Sequence, residues 1–68
     1  MNDDTFNMQV RKFLKKVGIG SQREIEKAVR DAIEQGRLKG DESLQARVTL
    51  TVEGLDLEVE IEDRIALE

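Results

Sequence analysis

The side chains that could do chemistry in this 68-residue chain fall into three sets. Ser21 heads the motif Ser21-Gln22-Arg23-Glu24, the acids Asp56, Glu58, Glu60 and Glu62 alternate towards the C-terminus, and Arg11, Lys12, Lys15 and Lys16 cluster towards the N-terminus. Cys and His are absent. Disulfides, a zinc site of the usual kind and catalysis by thiol or imidazole are therefore excluded. A nucleophilic Ser21 would need an activating base, and only Lys or a carboxylate could serve. Glu24, three residues on, is already accounted for as the partner in a capping box. Structural capping is the simpler reading.

The acidic alternation suggests a cation site only at first sight. Successive same-face residues on a strand lie roughly 6.6–6.8 Å apart. Carboxylates closing on one Ca²⁺ at about 2.3–2.6 Å must converge from a folded loop, and no EF-hand spacing is present. A solvated sheet face fits better, and its repelling charges discourage edge-to-edge association. No catalytic residue, cofactor or metal ligand is assigned, and a non-enzyme is expected.

The basic set is the more informative. No acid lies between Thr5 and Gly20. On a helix, Lys12 and Lys15 fall opposite the apolar stripe and flank Met8. The plain alternative is a solvated helix with one exposed Met, since scattered surface apolars are common. The functional reading is a docking surface of Met8, Arg11, Lys12, Lys15 and Lys16 for an acidic partner.

Periodicity supplies the elements that must position these residues. Phe6, Val10, Phe13, Leu14 and Val17 form one helical stripe, so a first helix is expected over about 4–17. Asp3 or Asp4 would cap it, and Gly18 would close it in a Schellman turn with Ile19 against Leu14. The capping box at Ser21 then opens a second helix, about 22–35, with the stripe Ile25, Ala28, Val29, Ala32 and Ile33, ended by Gly36. Its outer face offers the i,i+4 pairs Glu26–Arg30, Lys27–Asp31 and Arg30–Glu34.

Beyond Gly40 the period becomes two, which predicts strands at about 44–52 and 55–61. A two-residue loop at Glu53-Gly54 would pair Val52 with Leu55, Leu50 with Leu57, Val48 with Val59 and Ala46 with Ile61. On the other face Arg47 would meet Glu60. At the break Glu62-Asp63-Arg64 either the second strand continues through a bulge or a tight turn starts a short third strand at 64–67, and the third strand is the preferred reading. The expected fold is one α+β domain over 1–68 in two layers. An α-hairpin would pack on one face of a small antiparallel β-hairpin or meander, ααββ or ααβββ. Its core would draw on Phe6, Val10, Phe13, Leu14, Val17, Ile25, Val29, Ile33, Val48, Leu50, Leu57, Val59 and Ile61.

Composition bounds the function. Hydrophobic and charged residues each make up 38% and the net charge is −4. Residues 1–40 hold nine basic against six acidic side chains, while residues 41–68 hold two against nine. No stretch approaches the roughly 18 apolar residues of a membrane span. The acidic opening Met1-Asn2-Asp3-Asp4 lacks the basic and apolar regions of a secretion signal, so a cytoplasmic protein is expected. A core this small also leaves a homodimer open, through an edge strand or the apolar face. Helix-turn-helix recognition of nucleic acid is disfavoured, because the second helix mixes acids with its cations and the strands add no stacking aromatics. The expectation is a small non-enzymatic interaction or structural module contacting an unknown protein partner through the basic face of the first helix. Weak, non-specific nucleic-acid binding through the same surface is the alternative.

Several stretches also resemble a known family. Met1-Asn2-Asp3-Asp4-Thr5-Phe6-Asn7-Met8, Val10-Arg11-Lys12-Phe13-Leu14, Val17-Gly18-Ile19 and Ser21-Gln22-Arg23-Glu24-Ile25-Glu26 are its most distinctive part. Gly36-Arg37-Leu38-Lys39-Gly40 and Leu50-Thr51-Val52 continue it. Together they resemble a family of short, mainly proteobacterial proteins classed as a domain of unknown function. The resemblance implies a cytosolic bacterial protein and brings no activity, cofactor or site residue. Its relatives often have Gly in the last turn, where this chain has Asp63. Residues 29–40 also resemble the opening helix of winged-helix repressors of the GntR type, but strands stand where the helix-turn-helix should follow.

Overall fold

The computed structural model describes residues 1–68 as two units, Met1–Arg37 and Leu38–Glu68. The first is a single helix, α1 (Asp3–Glu34); the second is an antiparallel hairpin of β1 (Ser43–Thr51) and β2 (Glu58–Ala66). The chain is α+β, but the expected α-hairpin is absent.

One helix of 32 residues replaces the two expected at 4–17 and 22–35. At 1.5 Å per residue it is about 48 Å long. Gly18 does not close a Schellman turn, and Ser21-Gln22-Arg23-Glu24 is not a capping box; all five residues are mid-helix. Two interior glycines cost a helix about 2 kcal/mol together. A break would instead orphan four carbonyls and four N–H groups at the new ends. The stripe also stays in phase across the glycines. Phe6, Val17 and Ala28 are eleven residues apart, as are Val10, Ser21 and Ala32, and Leu14 and Ile25. An eleven-residue repeat is 3.67 residues per turn, close to the natural helix, so one face stays aligned throughout.

The ends of α1 are set by local hydrogen bonds. Asn2, rather than Asp3 or Asp4, is the N-cap: its side-chain oxygen accepts from the Thr5 N–H at 3.1 Å. Asp3 and Asp4 occupy the first turn, where the helix dipole favours them. At the other end Gly36 adopts φ 78°, as expected from sequence. Its N–H donates to the Ile33 carbonyl at 3.0 Å and that of Arg37 to the Ala32 carbonyl at 2.8 Å, the two bonds of a Schellman motif.

The hairpin keeps the expected faces but shifts its register by two residues. Leu50 pairs with Val59, Val48 with Ile61, Ala46 with Asp63 and Leu44 with Ile65. An even shift leaves every side chain on its predicted face. The turn explains the shift. Gly54 has φ 82° and the Leu55 N–H donates to the Val52 carbonyl at 3.2 Å, a type II geometry centred on Glu53-Gly54. Type II turns splay strands where the primed turns fit their twist. Pairing therefore starts only at Thr51 and Glu58. The shift also sets Asp63 opposite small Ala46, whereas the expected register would oppose it to Leu44.

No third strand forms. β2 runs straight through Glu62-Asp63-Arg64 to Ala66, and the sheet has two strands. Arg64 helps hold this stretch, since its guanidinium donates to the Ser43 hydroxyl at 3.3 Å and the Ser43 carbonyl at 3.1 Å. On the polar face Arg47 stands opposite Glu62, bonding it at 2.8 Å, with Glu60 at 3.9 Å.

No side chain of either unit is buried, so neither unit has a core of its own. A lone helix has no second element in its own unit to cover its stripe, and a two-stranded sheet is one layer. Val17, Val29, Leu44, Ala46, Leu50, Leu57 and Ile65 are half-buried; Phe6, Val10, Phe13, Leu14, Ile25, Ile33, Val48, Val59 and Ile61 are exposed.

Glu42 organises the open end of the hairpin. Its carboxylate accepts the N–H groups of Lys39, Gly40 and Asp41 at 2.9–3.2 Å, and its carbonyl accepts that of Leu67 at 2.9 Å. These bonds, first that of Lys39 and then that of Gly40, hold the carboxyl below the usual Glu range.

Two predictions follow from these elements. An Ala at Gly18 or Gly20 meets no atom within 4 Å, so Gly18→Ala and Gly20→Ala should each stabilise α1 by about 1 kcal/mol. Circular dichroism during thermal unfolding checks this; lower helicity would indicate a turn there. A pKa lowered by folding adds stability above the unfolded value and loses it as pH falls through the folded one. The hairpin should therefore weaken on acidification through and below the ordinary Glu range. Glu42→Gln should flatten that part of the profile in denaturation at stepped pH, and an unchanged profile would refute the assignment.

Candidate interaction surface

The helix places Met8, Arg11, Lys12, Lys15 and Lys16 together on exposed surface. Lys12 and Lys15 lie one turn and two turns beyond Met8, on the side opposite Phe6, Val10 and Val17. Arg11 and Lys16 flank them on either shoulder. Met8 is 64% exposed, so an apolar side chain stands among four cations with no covering neighbour.

Continuity of α1 adds residues that two helices would have separated. Ile19 was expected to fold back on Leu14; it is instead one turn past Lys15, in line with Met8, and 46% exposed. Met8, Lys12, Lys15 and Ile19 thus follow 4-3-4 spacing along one face. The acid-free run extends from Thr5 to Arg23 on one rod and holds five cations. The phase of the stripe was the available signal: counting elevens through Gly18 and Gly20 would have placed Ile19 and Arg23 on this face.

The units differ in sign. Residues 1–37 hold eight basic and six acidic side chains, and residues 38–68 hold three and nine. Of the six acids of the helical unit, Asp3 and Asp4 are in the first turn and Glu24, Glu26, Asp31 and Glu34 are in the second half. Glu26 meets Arg30 at 3.4 Å, as expected from their spacing. Screening acts within about 8 Å at physiological salt. At 1.5 Å per residue along α1, Lys12 and Lys15 lie about 12 Å or more from Asp4 and Glu24, beyond that range, so the acids of the helix do not neutralise them.

The other sites considered from sequence take ordinary places. Ser21 is half-buried within the apolar stripe, away from any helix end and from its free N–H groups. Glu58, Glu60 and Glu62 share the polar face of β2 with Arg47 across from them, while Asp56 lies in the loop before it. No helix is long and apolar enough to cross a membrane.

A family model described as a family of unknown function, DUF6494, matches residues 1–68. No curated protein and no solved structure matches the chain.

Proposed function

Since the chain belongs to this family of unknown function, we propose its role from the helix itself: a non-enzymatic interaction module that binds an acidic protein through the first half of α1. The observation that supports this is the exposed line Met8–Lys12–Lys15–Ile19 on an acid-free run. Two apolar side chains spaced along a helix suit anchoring contacts, and the cations around them suit steering and orientation. A partner segment with carboxylates around two apolar positions is the complement. The resemblance of the first 26 residues extends the proposal to a bacterial, cytoplasmic setting.

A second reading, weak and sequence-independent binding of nucleic acid, is favoured by the five cations of the same run. It has against it the four acids of the second half of α1.

Reversing Lys12 and Lys15 together to Glu tests both. The double variant should keep its helix by circular dichroism and lose the proteins that the native chain captures from lysate of its source, identified by mass. Capture of the same proteins at the same yield would sink the proposal. Binding of duplex DNA by the native chain, falling steeply with salt and lost in the variant, would move the assignment to the second reading.

A further inference from the structure

We draw no further inference here: the strongest candidate, the apolar stripe that runs along α1 from Phe6 to Ala32 on the side opposite the basic face, carries none because nothing in the structure shows what covers it.

Discussion

The phase of the apolar stripe along α1 is the constraint on which the other features depend. Because Phe6, Val10, Leu14 and Val17 continue in register to Ile25, Ala28 and Ala32, one unbroken helix aligns these apolar side chains along one side. That alignment leaves the opposite side to Met8, Lys12, Lys15 and Ile19. A bent helix pair would have turned its stripes inward on each other and split the basic run at Gly18. In water, helices of this kind draw most of their stability from packing of the apolar face rather than from propensity. With no buried residue in its own unit, the helix is the kind of element whose folding and association are coupled.

The hairpin obeys a different constraint, parity. Its register moved by two residues, yet Leu44, Val48, Leu50, Val59, Ile61 and Ile65 stayed on one face. A slip of one would have exchanged the faces outright. Both strands are edges, since the sheet has only two. Asp63 on the apolar face and the Glu58, Glu60 and Glu62 row on the other put charge on both sides of β2, a usual guard against edge-to-edge growth. Ion pairs add little to stability here. Arg47, Glu60 and Glu62 are largely exposed, and such pairs contribute roughly 0.2–1 kcal/mol. Their positions act more on register, since Arg47 reaches two acids in the observed alignment.

What could be seen in the sequence was what depends on periodicity: the helical stripe, the alternation of the strands, the faces of the hairpin, and the Schellman stop at Gly36. What could not was decided by competition between a local signal and its surroundings. Gly18 and Ser21-Gln22-Arg23-Glu24 are sound stop and start signals taken one at a time. They lose to eight orphaned backbone groups and to a stripe that is already in phase. Glu53-Gly54 marks the turn correctly, but φ 82° at Gly54 belongs to a type II turn, which needs a longer loop than a two-residue hairpin. Asn2 wins the cap over Asp3 and Asp4 because a cap lies one residue before the helix, while acids inside the first turn still satisfy the dipole. For the candidate surface, Arg11, Lys12, Lys15 and Lys16 were legible from charge, and Met8 from helical spacing opposite the stripe. Ile19 and Arg23 were not, because a turn drawn at Gly18 removes them from that face.

The separation of the two faces of α1 has a physical consequence for how the chain can work. Apolar burial on the stripe is short-ranged and nearly insensitive to salt, whereas the field of the basic face reaches about a Debye length and weakens as salt rises. The two kinds of attraction act from opposite sides of one rod, so neither has to be given up for the other.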